Sequence, residues 1–299
     1  MKSKTITRRK LLKDSTLAAI GASLFMNSPL KAFGNSKQND LSKVALIRDK
    51  NVLDENGIVD ADILEKMLDE GLMKLTGMKY KEDAWASIFK PDDILGIKTN
   101  IWNHLPTPSE LEDLLRKKAI GMGVIPENIS VNDRGVKTDP VFQKSTALIN
   151  VRPMRTHNWA GVGSLLKNYI TFADNKPAYH PDSCADLATL QNLPMVKGKT
   201  RLNILVMLTP LFHGVGPHHY NKQYVWNYNG LIMGFDPVAV DATGLKIIQA
   251  KRKDFFKEDL PLNPPAKHIL LADTRHRIGN ANPNKIDLVK VGWEEDLLI

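Results

Sequence analysis

The chain has 299 residues, is 42% hydrophobic and 25% charged, and carries a formal charge of +8 with a pI near 9.3. Residues 1–34 hold seven Lys/Arg and one acidic residue, which leaves 34 basic and 32 acidic residues, a net +2, for the rest. Without that leading segment, charge gives no support for a nucleic-acid partner. The single cysteine, Cys184, excludes an internal disulfide framework and any iron–sulfur cluster or Cys-based zinc site built by this chain alone.

The first segment has the order of an export signal. Thr7-Arg8-Arg9-Lys10-Leu11-Leu12-Lys13 precedes a weakly apolar run from Leu17 to Met26 and then Ser28-Pro29-Leu30-Lys31-Ala32. The apolar run is shorter than the ~20 residues a bilayer span needs. The pattern predicts a twin-arginine signal over residues 1–34, cleaved after Ala32, with a flexible leader over 35–42 and a periplasmic location. No stable membrane anchor is expected once the signal is removed.

The remainder alternates strand and helix. A strand is expected at Lys43–Arg48. Helical spacing of Ile63, Met67, Leu68, Leu72 and Leu75 predicts a helix over 60–75, stopped by Gly77. A second helix is expected at Lys81–Phe89 and a strand at Asp93–Lys98. Thr107-Pro108-Ser109-Glu110 reads as a capping box with Pro at N1, opening a helix to about Gly121. Strands are expected at Ile129–Asn132 and Leu148–Val151, and a helix entered through a Gly-x-Gly turn at Gly161–Tyr169. Leu202–Leu208 is a continuous apolar strand of the kind buried on both faces. Leu231–Phe235 leads into Asp236-Pro237, an N-cap and N1 pair that opens a helix to about Lys251. Strands at His268–Ala272 and Lys285–Val291 complete the pattern. The expected fold is α/β, a largely parallel or mixed sheet flanked by helices in one large domain over 43–299.

Ligands of open α/β sheets sit beyond the carboxyl ends of the strands, so polar residues there are the candidates. Lys98, Asn100, Asp133, Arg134, Arg155, Thr156, His157, His213 and Asp236 all fall at predicted strand ends. The densest stretch runs from Arg155 to Asn168. Its Gly-rich turn presents backbone N–H groups to an anion, and Arg155 suits a carboxylate or phosphate. His157 has an unperturbed pKa near neutrality, as acid–base chemistry requires. His213, His218 and His219, with His180, form a second cluster that points to a metal ion, although the spacing matches no established zinc motif. His180 and Cys184 are close enough for a Cys–His nucleophile, and a buried structural thiol is the alternative.

Five stretches also resemble the bacterial family called domain of unknown function 362. They are Gly96-Ile97-Lys98-Thr99-Asn100, Ile129 to Arg134, Thr156-His157 through Gly161-Val162 to Leu166-Lys167-Asn168, Tyr179-His180 to Cys184, and Asp236 to Asp241. They span about residues 43–292 in the family's order. No agreed activity attaches to that family. Some members resemble fusions to ferredoxin-like iron–sulfur segments, which implies association with a redox partner, but this chain departs there with its single cysteine. Arg155 stands where many relatives have Lys, and the charge is kept.

The expectation is therefore an enzyme acting on an anionic small molecule, carboxylate or phosphate. His157, Lys167 and His180 are the catalytic candidates; Lys98, Asn100, Arg134, Arg155, Asn168 and Asp236 bind substrate. The alternatives are a ligand- or cofactor-binding protein using the same pocket, and a metal-bound redox accessory built on His213, His218 and His219. The sequence specifies no organic cofactor.

Overall fold

The computed structural model describes residues 41–214 and 220–299. The export signal and nearly all of the leader, together with His218 and His219, lie outside the described residues.

An eight-stranded mixed sheet organises these residues: β1 (Ser42–Arg48), β2 (Leu95–Lys98), β3 (Ile129–Asn132), β4 (Ala147–His157), β5 (Gly161–Gly163), β6 (Thr200–Leu211), β7 (Gly230–Gly234) and β8 (Ile286–Gly292). The order is β3-β2-β4-β6-β7-β1-β8, with β5 paired to β4. Strands β3, β2, β4 and β6 are mutually parallel. β7 runs antiparallel to both β6 and β1, and β8 is parallel to β1. The carboxyl ends of β1, β2, β3, β4 and β6 thus share one edge, and that of β7 lies at the other.

Helices cover both faces, as expected for α/β. On one face lie α1 (Ala61–Thr76), α2 (Lys81–Ile88) and α3 (Ser109–Gly121). They pack Leu64, Leu68, Trp85 and Leu115 against Ile97, Ile149, Ile204 and Met233. The periodicity read for α1 holds. Asp60 caps it by accepting from the Asp62 and Ile63 amides, and Gly77 ends it in the left-handed region. The other face carries α5 (Leu165–Asn168), α7 (Pro237–Phe256) and α8 (Lys267–Thr274). There Leu165, Val240, Ile247 and Ile269 meet Met154, Leu205 and Ile232. Two short helices, α4 (Pro140–Lys144) and α6 (Pro181–Cys184), lie in connections. Inside α6, Asp182 and Ser183 adopt left-handed backbone angles.

Four local expectations are corrected. Gly161–Gly163 is a strand, because it pairs antiparallel with Arg155–His157 as a tight hairpin; the helix is only Leu165–Asn168. Gly161 makes the turn with φ of 72°, and a Cβ there would lie 2.6 Å from the Pro264 carbonyl oxygen. His268–Ala272 lies in a helix, with His268, Ile269 and Ala272 buried together on one side; five residues are too few for period to separate strand from helix. The capping box does not form. Thr107 Oγ1 instead accepts from the Asn100 amide at 3.0 Å, closing the loop after β2, and Pro108 stands at the N-cap with no side-chain bond. Finally, β4 runs on to His157, so Arg155, Thr156 and His157 belong to the strand rather than following it.

Candidate functional site

The site is built on β4. In the first part of that strand, Ile149 and Val151 face the core under α1 and α3. The alternating residues Asn150 and Arg152 face the other side. Both are polar and both are buried. The ladder between β4 and β6 shifts register between Pro153 and Arg155, and such a shift re-aims the side chains beyond it.

Asn168 ties this strand to its neighbours. Its amide nitrogen donates to the Lys98 carbonyl at 3.2 Å, to Asn150 Oδ1 at 2.9 Å and to the Val151 carbonyl at 3.0 Å. Its oxygen accepts from Lys98 Nζ at 3.2 Å. Lys98 is fully buried, and its other bonds go to Asp133 Oδ1 at 2.6 Å and the Thr99 carbonyl at 2.7 Å. Asp133 also accepts from the Ile101 amide at 3.0 Å. Burial pulls Lys98 from 10.5 to about 8, and Asp133 opposes that shift. Burial in turn pushes Asp133 up, but Lys98, the Ile101 amide and Arg152 together outweigh it and the carboxyl stays below its usual range. The pair is ionised and internally satisfied.

The short helix α5, which holds Lys167 and Asn168, is anchored from α7. Asp241 is fully buried and accepts from Ser164 Oγ at 2.7 Å and from the Leu165 and Leu166 amides at 2.9 Å each. Burial raises its carboxyl to about 6 despite those three donors.

The remaining cations have no such partners. Arg155 donates from Nη2 to Asn100 Oδ1 at 2.9 Å, and its guanidinium lies 4.5 Å over the Trp102 ring. Its Nη1 is buried with no hydrogen-bond partner, and so is Nε of Arg152. Lys167 Nζ, among the described residues, meets only Cys184 Sγ, at 3.5 Å. Among the described residues, no carboxylate lies within ion-pair distance of Arg152, Arg155 or Lys167. Burial, with Asp133 and Asp241 opposing, lowers Arg152 from 12.5 to about 10. Burial, then Arg152, holds Arg155 well below its usual range. Burial, with the two arginines adding to it, brings Lys167 to about 8. His157 is pushed far below neutrality by burial and by Lys167, Arg152 and Arg155. His268, on α8, falls to about 3 for the same kinds of reason, and neither of its ring nitrogens has a partner. Both imidazoles are neutral at physiological pH.

Gly163 separates two of these groups. A Cβ there would lie 2.9 Å from Arg152 Nη2 and 3.4 Å from His157 Cδ2. A buried guanidinium with open donors therefore sits directly against bare backbone. The arrangement is suited to holding an anion, since buried donors and charge are costly unless partnered.

Of the residues chosen from sequence, Lys98, Asn100, Arg155, His157, Lys167 and Asn168 come together here. His180 stands at the margin, its ring 4.1 Å from that of Trp159, and burial and Lys167 lower its basicity. Arg134 is not brought in; its side chain is exposed beside the buried Asp133. Asp236 lies at the opposite edge, because β7 is antiparallel. There it accepts from Ser42 Oγ at 2.6 Å and caps α7 through the Val238 and Ala239 amides. His213 has its Nδ1 2.9 Å from Arg252 Nη1 and packs against Tyr224 and Phe256. Among the described residues, no group of three His, Cys, Asp or Glu side chains is placed to hold a metal ion. Cys184 is fully buried, and its Sγ meets Lys167 Nζ, while its bond to His180 is between main chains, the Cys184 amide donating to the His180 carbonyl at 3.2 Å; burial raises its thiol.

Two residues of the site escaped sequence reasoning. Arg152 carried a signal, since Asn150 and Arg152 place polar groups at alternate positions of an otherwise apolar buried strand. His268 was hidden by the strand reading of its segment.

A cleft of about 610 Å³ adjoins the cluster and meets it at Thr156 and His157; Tyr220, Tyr224, His213 and Arg252 are among its other lining residues. The fold and the site define an α/β protein with a cluster of buried cationic side chains at the carboxyl edge of a mixed sheet. The model of a family described as domain of unknown function (DUF362) matches residues 124–246, which supports that family for this stretch. No curated protein and no solved structure matches the chain. The matched residues include Asp133, Arg152, Arg155, Lys167, Cys184 and Asp241, while Lys98 and His268 lie outside them.

Proposed function

We propose that this protein is an exported enzyme that binds an anionic small molecule, through carboxylate or phosphate groups, at Arg152, Arg155 and Lys167, and uses Lys167 and the neighbouring imidazoles for proton transfer. One observation carries the reading: three buried cations that no carboxylate among the described residues neutralises. The two buried acids nearby are committed elsewhere, Asp133 to Lys98 and Asp241 to the start of α5. An incoming anion supplies the missing charge and fills the open donors of both guanidinium groups. Asn100 binds Nη2 of Arg155 and Trp102 covers the guanidinium face, which leaves Nη1 open.

His157 is too weakly basic to carry a proton in the unliganded protein. An anion among Lys167, Arg152 and Arg155 removes the repulsion that these exert, so proton affinity returns when substrate arrives. Calorimetric titration with inorganic phosphate and with oxalate tests both points. Saturable binding is expected, lost in Arg155→Met. Near pH 8, where Lys167 is about half protonated, binding is expected to take up a fraction of a proton, read from heats in buffers of different ionisation enthalpy. Absence of saturable binding of either anion at millimolar concentration removes the proposal. A His157→Asn protein that binds normally but turns over no substrate separates the enzyme from a carrier.

A further inference from the structure

The two buried lysines of the site differ in a way that points to chemistry. Lys98 Nζ has three oxygen acceptors, on Asp133, Thr99 and Asn168, enough to occupy all three of its N–H bonds. It is fixed as an ammonium. Lys167 Nζ has a thiol sulfur at 3.5 Å and no oxygen acceptor among the described residues, although its side chain is 97% buried. Among the described residues only the Cys184 sulfur favours its charged form, while burial and its neighbours Arg152 and Arg155 act against that form. With its proton affinity brought to about 8, roughly one amine in five is neutral near pH 7.4, with its lone pair available.

We propose that Lys167 is the nucleophile of the site and that its substrates are 2-oxo carboxylates, which place a carboxylate on Arg152 and Arg155 and the adjacent carbonyl carbon against Nζ. This rests on the anion-binding reading above and narrows it. A phosphate would be held better by a lysine kept cationic by oxygen acceptors, whereas a buried amine of lowered basicity beside two guanidinium groups matches a carbonyl next to a carboxylate. The amine lone pair forms the N–C bond, and the carbonyl π pair moves to oxygen, which takes a proton. The nitrogen then loses its protons, and the oxygen leaves as water after taking a second proton. The product is an imine plus one water, with no oxidant or reductant required. His268 is fully buried on α8 with both ring nitrogens unpartnered, and it senses Lys167 and Arg152 electrostatically. In this scheme the neutral imidazole relays a proton lost by the nitrogen to the departing oxygen, so it ends as it began.

The test is reductive trapping on the full chain. Protein is incubated with glyoxylate or pyruvate and cyanoborohydride, and the adduct is mapped by peptide mass spectrometry. The expected result is a single saturable adduct on Lys167, suppressed by oxalate and reduced at least tenfold in Arg155→Met. Acetone, a carbonyl without a carboxylate, is expected to give none. Lys167→Arg keeps the charge and the stem, and is expected to bind oxalate but not to be trapped. His268→Gln is expected to slow trapping with unchanged oxalate affinity. Labelling spread over surface lysines, or equal labelling of Lys167→Arg, overturns the proposal. If oxalate still binds in that case, only the imine fails; if oxalate does not bind, the anion site fails with it.

Discussion

Replacing Arg152 with methionine separates a cation kept for a ligand from one kept for the fold. The guanidinium is 4% exposed, and burial lowers its proton affinity from 12.5 to about 10. At 1.36 kcal/mol per unit, holding it charged in the folded protein costs about 3 kcal/mol. The sign follows from linkage. A base whose folded pKa lies below its unfolded value destabilises the fold while both states are protonated. The penalty is therefore complete at pH 7 and fades as pH rises through 10 towards 12.5. Methionine removes the penalty and keeps much of the volume, and replacing buried ionic groups by apolar ones is commonly neutral to stabilising by about 1–4 kcal/mol. Loss of the attraction to Asp133 and Asp241 offsets part of this, so a net gain of about 1–3 kcal/mol is expected. For a domain of this size each kcal/mol shifts the melting temperature by about 2–4 °C. The assay is thermal unfolding at pH 7, with and without oxalate. The variant should melt several degrees above wild type without ligand and should gain nothing from oxalate, while wild type is stabilised by it. An Arg152→Met protein that melts well below wild type and still responds to oxalate would refute the reasoning, since Arg152 would then be a structural cation.

Three further outcomes follow from the same geometry. Gly163→Ala places a methyl 2.9 Å from Arg152 Nη2, so the guanidinium must shift by a few tenths of an ångström; anion affinity should fall about tenfold, equivalent to ~1.4 kcal/mol, with the unfolding midpoint nearly unchanged, as read by calorimetry and urea titration. Asp241→Ala strips the acceptor from three buried donors, each worth about 1–3 kcal/mol when left unsatisfied, against the relief of a buried carboxylate. Because burial raises Asp241 to about 6, wild type gains stability from this group as pH falls from above 6 towards the unfolded value, and the deficit of the variant should be larger at pH 5 than at pH 7 in urea unfolding. Replacing Arg8 and Arg9 together by lysine should leave the uncleaved chain in the cytoplasm; cell fractionation that finds it exported at the wild-type level would remove the twin-arginine reading.

The fold was legible where local chemistry and packing agree. Asp60 and Gly77 bracket α1, Asp236-Pro237 opens α7, and the apolar run at Leu202–Leu208 lies inside β6, all from residues whose roles are decided within a few positions of the chain. Gly161–Gly163 was not legible in this way. Its extended form depends on pairing with Arg155–His157, and the two glycines that suggest a helix entrance are required by close approach to Pro264 and Arg152. The site was legible as a set of strand-end residues, because Lys98, Arg155 and Lys167 stand near elements that could be placed. Asp236 satisfied the same rule and failed it spatially, since strand direction is a property of the sheet order. Arg152 was passed over because a charged residue inside a strand reads as an interruption until the strand's two faces are known.

The pairing of β1 has a consequence for when the protein becomes complete. Both of its neighbours come from far along the chain, β7 at Gly230–Gly234 and β8 at Ile286–Gly292. During synthesis the segment 42–48 is therefore made first among the described strands, gains its first partner, β7, only after residues 49–229 have emerged, and its second, β8, only after residues 49–285. Closing so long a loop is slow relative to local structure, and until then an apolar segment, Val44-Ala45-Leu46-Ile47, has no partner. The strand order thus makes assembly of this sheet a late event, and β1 is paired on both edges only once the last of the described strands has been made.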